Sequence, residues 1–400
     1  MKTILLKIAA FFSVLILAAA GLPAQDNSRE INVTGTIALG MTKPIPVSLD
    51  GFSGEVESVL KFDLYVQGFS FVTSDAAQYQ ISGSNSGNVV GQVTDKIARR
   101  AILPPRSYTG ADLRGQAHAF ASDIVQAITG KPGISLLRGA TARIAFKAQR
   151  PDGTGDIYVS DFDGYHPQSI TPDNAIVAKP AWVPGRLALY YTSYKLGNPD
   201  IFYHNLANGQ RRVIAGYSGL NTSAAVSPDG SKVAMILSRS GSPDVWVCDA
   251  DGSNLKQITR GVEDSSPCWS PDGQWICFAT KINGRRLLAK VPATGGEVQV
   301  IHTTGAPNPT EPDWSPDGKW IAFTSQTGEF DICVAPTDGS APPVVLVRGS
   351  DPSWAPNSRT LIYNRSIHYQ QTLSVLDVFT KQYKDIGRIS GSDSEPAWAR

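Results

Sequence analysis

Two serines are flanked by glycine, in Gly51-Phe52-Ser53-Gly54-Glu55 and Gly216-Tyr217-Ser218-Gly219-Leu220. A nucleophilic serine on a strand-to-helix elbow requires Gly-x-Ser-x-Gly, and both stretches lack the last glycine. The histidines are His118, His166, His204, His302 and His368. None shares the H-E-x-x-H or H-x-x-E-H spacing that brings two imidazoles and a carboxylate to one zinc ion. His118 lies in a helical stretch and reads as a packing or interdomain hydrogen-bonding residue rather than a base. Asp161-Phe162-Asp163-Gly164 and Asp249-Ala250-Asp251-Gly252 begin like calcium loops, but neither supplies both the third ligand and the Glu at loop position 12. Cys248, Cys268, Cys277 and Cys333 have no zinc-site spacing. Cys268 and Cys277 flank one tight turn, so a disulfide is open to them in an oxidising compartment; the stronger reading is four small hydrophobes on apolar strands. The expectation is a non-enzyme with no catalytic residue, cofactor or metal.

A repeated pattern dominates the chain instead. Its clearest copies are CWSPDGQWICFAT from Cys268, DWSPDGKWIAFTS from Asp313 and SWAPNSRTLIYNR from Ser353. Looser copies begin at Ala181 and Ala225, and a short one, AWAR, ends at Arg400. The Trp position is held by Trp182, Val226, Trp269, Trp314, Trp354 and Trp398, with gaps of 44, 43, 45, 40 and 44 residues. A steady period of this length signals stacked copies of one supersecondary unit. Each unit reads as four strands. An apolar run ends in Trp, a Ser-Pro-Asp-Gly turn follows, and a second apolar run leaves it. A third run such as Asp244-Val245-Trp246-Val247 leads through an Asp-Gly turn to a fourth. Pro presets φ, Asp bonds its own backbone and Gly accepts positive φ. Four strands at this period match a β-propeller blade.

Second strands begin near Ile144, Leu187, Val233, Ile276, Ile321 and Leu361, so six blades are expected. The first lacks an opening strand and the last repeat has nothing else. Glu395-Pro396-Ala397-Trp398 therefore completes the first blade, removing an exposed edge. Ahead of the propeller (140–400), residues 26–139 read as a small α/β domain. Strand patterns fall at Ile31–Leu39, Phe69–Val72, Tyr79–Ser82 and Val89–Val93. Helices are expected at Gly54–Val66 and Ala111–Ile128, the second capped by Thr109 and stopped by Gly130 and Pro132. The fold class is thus α+β followed by an all-β six-bladed propeller closed by its C-terminal strand.

Residues 1–25 read as an export signal. Lys2 and Lys7 form the charged region, Ile8–Ala20 the apolar one, and cleavage follows Ala24 or, as second choice, Gln25. No later apolar run is long enough for a membrane span. The chain has 36 basic and 35 acidic residues; without Lys2 and Lys7 it has 34 against 35, a net charge of −1. No basic cluster marks a nucleic-acid face.

An exported chain with a small α/β domain and a six-bladed WSPDG propeller resembles the TolB family. The stretch Tyr108–Gly133, with Ala117-His118, Ser122-Asp123 and Ile128-Thr129-Gly130, is similar to the helix that closes that family's front domain. The resemblance covers nearly the whole mature chain. It implies a monomeric periplasmic scaffold of the Tol-Pal system, serving outer-membrane integrity and envelope constriction at division. Such proteins bind Pal, an OmpA-family peptidoglycan-associated lipoprotein, through one propeller face, and TolA through the mature N-terminus. The loops entering the innermost strands gather at one mouth of the channel. Just before those strands stand Lys179, Ser223, Ser266, Glu311, Asp351 and Glu395, with Asn221, Asp264, Ser265, Thr310, Ser350 and Ser394 nearby. The six residues just before the strands set three carboxylates against one lysine, a rim suited to steering and hydrogen-bonding a protein; the partner-binding residues expected are Asn221, Ser223, Asp264, Ser265, Ser266, Thr310, Glu311, Asp351 and Glu395. Two alternatives stay open. One is the propeller of a peptidase-like protein; the other is a wall-glycan lectin, which would need loop-face aromatics, whereas most Trp residues here recur in register on strands.

Overall fold

A computed structural model describes residues 39–110, 112–134, 143–261, 263–386 and 391–400. The expected signal 1–25, the strand from Ile31 and the 139/140 boundary lie outside them; Leu39 itself sits in a turn. Among the described residues no helix is long and apolar enough to cross a membrane.

The front domain is a five-stranded sheet covered by two helices. In chain order its elements are β1 (Ile45–Asp50), α1 (Gly54–Tyr65), β2 (Phe69–Phe71), β3 (Tyr79–Ser84), β4 (Val90–Asp95), β5 (Arg100–Ser107) and α2 (Leu113–Thr129). The strand order is β2-β1-β3-β4-β5, with β1 parallel to both neighbours. The core joins Val47, Phe69, Ile81 and Val93 of the sheet to Leu60 and Leu64 of α1 and Phe120 and Ile124 of α2. The sequence pattern missed β1 and β5, which both contain proline, a residue without an amide to donate to a ladder. Proline is tolerated in β5 because it is an edge strand. Asp112, not Thr109, caps α2: its carboxylate accepts from the Gly115 amide at 2.6 Å. An N-cap must immediately precede the first helical turn, and that turn begins at Leu113. Gly130 ends the helix in the left-handed conformation at φ 70°, as expected.

Among the described residues the propeller consists of six four-stranded antiparallel sheets. In blades two to six the chain runs outward from the channel; blade two, for example, holds Val177–Trp182, Ala188–Ser193, Asp200–Asn205 and Arg211–Ala215. Blade one takes Ser392–Trp398 as its inner strand, paired with Arg143–Gln149 through Trp398↔Ile144 and Ala397↔Ala145. The C-terminal strand therefore closes the ring, as the repeat count requires.

Three of the Trp positions lock blade to blade. The Trp182 indole donates to the Ala397 carbonyl at 3.2 Å, Trp269 to Ala225 at 2.9 Å and Trp354 to Asp313 at 3.1 Å. Each is a donor of one inner strand reaching the preceding one. The Ser-Pro-Asp-Gly turns are self-satisfied. In blade four the Ser270 hydroxyl donates to Asp272 at 2.5 Å and accepts from the Trp275 amide at 2.9 Å, while Asp272 accepts from the Gln274 amide at 3.0 Å.

The front domain packs on the side of the propeller that carries these turns. The Gly40 amide bonds the Val378 carbonyl at 2.9 Å, and Gln382 donates to Phe69 at 3.0 Å. Phe62, Val66 and Ile134 join a shared core with Phe162, Ala355 and Trp398. Gly68 meets Arg359 so closely that an added Cβ would lie 2.0 Å from the guanidinium, and its φ of 88° also demands glycine. Among the described residues, the front domain leaves uncovered the opposite side, which carries the loops that enter the inner strands.

Candidate functional site

Every inner strand breaks its register at one point. Lys179, Ser223, Ser266, Glu311, Asp351 and Glu395 stand at the six breaks, and all six adopt positive φ between 49° and 54°. In five of the six the next residue is proline, which cannot donate to a ladder and so belongs at a bulge. A non-glycine residue in this region costs on the order of 1–2 kcal/mol. Six equivalent bulges turn six side chains toward one channel mouth. Sequence alone brought these residues together correctly; it did not show the strain.

Their electrostatics differ from a solvated rim. The Lys179 ammonium lies 2.5 Å from Asp351 Oδ1 and 3.4 Å from Glu311 Oε1, and its backbone amide donates to Glu395 Oε2 at 2.5 Å. Lys147 stands behind Glu395 at 3.8 Å. Glu311 also accepts from Thr324 at 2.8 Å and from the Asp351 amide at 3.1 Å. Burial opposes the ionisation of Glu311, but Lys179 and these donors outweigh it and hold the carboxyl at about 2. Burial, with Glu311 and Glu395 adding like charge, pushes Asp351 up to about 7 despite Lys179. Lys179 is raised well above the usual lysine value, its three carboxylate neighbours overcoming its burial. The mouth is a cross-blade knot of charge, much of it internally matched.

The other expected residues divide by depth. Ser223, Ser265, Ser266 and Thr310 are half-buried along the same mouth. Asn221 is fully buried and pins its own loop, donating to Tyr217 at 2.7 Å and to Pro199 at 3.1 Å. Asp264 is buried too and accepts from the hydroxyls of Thr259 and Thr280. Both shape the mouth from beneath its surface.

Sequence reasoning missed the exposed apolar side chains on this side of the propeller. Ile176, Tyr194, Leu196, Phe330 and Tyr369 are exposed, Leu196 at 62% and Tyr369 fully, and all five lie in or beside loops on the uncovered side. The Tyr194 amide bonds the Ile176 carbonyl at 2.9 Å, which makes these two neighbours. The available signal was the apolar content of turn-rich segments such as Tyr194-Lys195-Leu196-Gly197-Asn198-Pro199.

Behind the mouth runs a cavity of about 360 Å³ lined by the inner strands. Arg400 crosses its far end. It bonds Asp313 and donates to the carbonyls of Trp314 at 3.2 Å and Trp354 at 3.3 Å.

The family model described as the TolB beta propeller domain matches residues 125–400. The Tol-Pal system protein TolB of Anaeromyxobacter dehalogenans (strain 2CP-C) is 32% identical over 175 residues, which are 44% of this chain and 39% of that protein. Its counterpart in Bordetella pertussis is 30% identical over 194 residues, 48% of this chain and 43% of the relative. The matched region thus spans less than half the length of these curated relatives. The crystal structure of TolB from Acinetobacter baumannii is similar with a TM-score of 0.80 at 22% identity, covering 90% of this chain and 98% of that one.

Proposed function

This chain belongs to the TolB beta propeller domain family, and from that premise we propose that it is an exported, non-catalytic scaffold of a Tol-Pal cell-envelope system. In this reading the mature protein works in the periplasm, its uncovered propeller mouth docks a Pal-like OmpA-family lipoprotein, and its N-terminal segment engages TolA. The observation that carries the reading is the convergence of six strained bulge residues on one open mouth. Backbone strain repeated six times runs from an observed outlier to a functional hypothesis. The side of the propeller that carries this mouth also has the anatomy of a protein interface. Half-buried serines and Thr310 offer hydrogen bonds, and exposed Leu196 and Tyr369 offer the apolar anchors that dominate binding energy. The repeated Trp residues favour a scaffold over a lectin, because Trp182, Trp269 and Trp354 are buried between blades.

The geometry also selects the test. Replacing Glu311 and Asp351 by lysine would crowd three ammonium groups where Lys179 now bridges carboxylates, so that pair of substitutions would damage the fold as well as binding. Leu196→Ser with Tyr369→Ser avoids this, since both side chains are exposed. Calorimetric titration with the soluble domain of a Pal-like lipoprotein should show binding by the wild type and at least tenfold (~1.4 kcal/mol) weakening in the double variant, with an unchanged melting temperature. Equal affinity would remove this side of the propeller as the docking site.

A further inference from the structure

The two cysteines that flank the blade-four turn stand directly opposite one another, Cys268 on the inner strand Ser265–Trp269 and Cys277 on its neighbour Trp275–Ile282. The Ser270 amide bonds the Trp275 carbonyl at 2.9 Å, and pairs alternate along the ladder from there. Cys268 and Cys277, two steps away, therefore occupy a hydrogen-bonded position, where facing Cα atoms lie about 5.5 Å apart. That separation lies within a disulfide's Cα range of about 4.4–6.8 Å, and closing the bond draws the two Cβ atoms in from the cross-strand spacing of about 4.5–5.5 Å to about 3.8 Å. Cys268 also lines the central cavity, which gives the pair a route to solutes, while Cys277 is fully buried behind it. All four cysteines are free thiols in the structure, and the other two are buried on different strands, Cys248 in blade three and Cys333 in blade five.

We infer that Cys268 and Cys277 are a dithiol pair that closes to a disulfide when the chain folds in the presence of a disulfide-bearing oxidant. One thiolate attacks the oxidant, expelling one of its sulfurs as a thiolate. The second protein thiolate then attacks the mixed disulfide and expels the other. Two S–H bonds are lost and one S–S bond forms; the two electrons and two protons leave with the oxidant as two thiols. Burial holds the Cys268 thiol well above its ordinary pKa, so exchange in the finished propeller is slow. Nine positions of sequence separate the pair, so the hairpin brings the sulfurs together before neighbouring blades cover them. The bond would tie the blade-four bulge at Ser266 to the second strand of its own sheet and so fix one sixth of the mouth. This chemistry stands independently of which partner the mouth docks.

The test is to unfold the full chain with reductant and refold it in a mixture of glutathione and its disulfide. Remaining thiols are then alkylated in denaturant and the peptides mapped by mass spectrometry. A Cys268–Cys277 crosslink with Cys248 and Cys333 alkylated is the expected result. Refolding with dithiothreitol should give four alkylated cysteines, and the oxidised form should melt a few degrees higher, a difference that Cys277→Ser abolishes. Four alkylated thiols after oxidative refolding would overturn the inference, as would Cys277 linked to Cys333. Because the decisive map is made on the wild-type chain, a poorly folding variant would not blunt it.

Discussion

At the scale of single residues, burial decides which side chains carry charge. Asp393 on the closing strand is 3% exposed and one of its carboxylate oxygens is buried without a hydrogen-bond partner. Burial alone pushes its pKa up to about 7. A carboxyl raised in the fold stabilises while it is neutral; that contribution is complete below the ordinary value near 4 and is lost as pH rises through 7. The advantage of Asp393→Asn over the wild type should therefore be larger at pH 8 than at pH 4.5 by on the order of 2–4 kcal/mol, read from denaturant melts at the two pH values. An equal difference at both would show that Asp393 has a partner in the fold. The bulge residues obey a different constraint. At Ser266, φ is 50° and Pro267 follows. Ser266→Gly relieves this strain and should leave stability level or about 0.5 kcal/mol higher, whereas Ser266→Val, β-branched at positive φ, should lose more than 1 kcal/mol. The reverse order in thermal melts would deny the left-handed conformation. If the strain serves docking, Ser266→Gly should bind the partner more weakly while being no less stable.

At the scale of elements, legibility followed turn chemistry. The blade strands were readable because Pro-Asp-Gly and Asp-Gly punctuate them at fixed offsets and because their apolar runs are buried on both faces, as in Ala188–Ser193. The site ring was readable for the same reason: each of its members sits at a fixed distance ahead of a Trp position. What the pattern did not carry was side-chain depth, so Asn221 and Asp264 read as rim residues although they are buried braces. Exposed Tyr369 and Leu196 lie in turns that vary from blade to blade, where no period marks them. In the front domain, proline in β1 and β5 hid two strands. At α2 the choice of cap turns on one position. Asp112→Ala should cost about 1 kcal/mol, because it removes the acceptor for the Gly115 amide, while Thr109→Ala should cost nothing measurable. Equal melting temperatures for the two variants would mean that the helix start is held by packing alone.

At the scale of the whole molecule, the front domain sits over the seam where the ring closes. Blade one is the sheet assembled from both ends of the propeller, and blade six is its neighbour; both contribute to the core under Phe62 and Val66. Phe162 of blade one stacks on Trp398 of the closing strand at 5.9 Å and meets His118 of α2 at 5.2 Å. His118 in turn hydrogen-bonds Asp63 at 2.7 Å and approaches Asp163 at 3.6 Å, and Asp163 pairs with the buried Arg114 guanidinium. One aromatic ring thus links the clasp of the propeller to the charged joint with the front domain. If closure and domain docking are one cooperative event, mutations on the two sides of Phe162 must not add. Trp398→Ala removes a large buried side chain and should cost about 3–5 kcal/mol. His118→Ala should cost less, on the order of 1–2 kcal/mol, because it leaves Asp63 buried without that hydrogen bond. The double variant should differ from their sum by at least 0.5 kcal/mol, since both act through the same ring. Chemical unfolding of the four species, each with a single transition, checks this. Additivity within about 0.3 kcal/mol, or a separate transition for the front domain, would show that the seam holds itself and that the domain above it merely rests there.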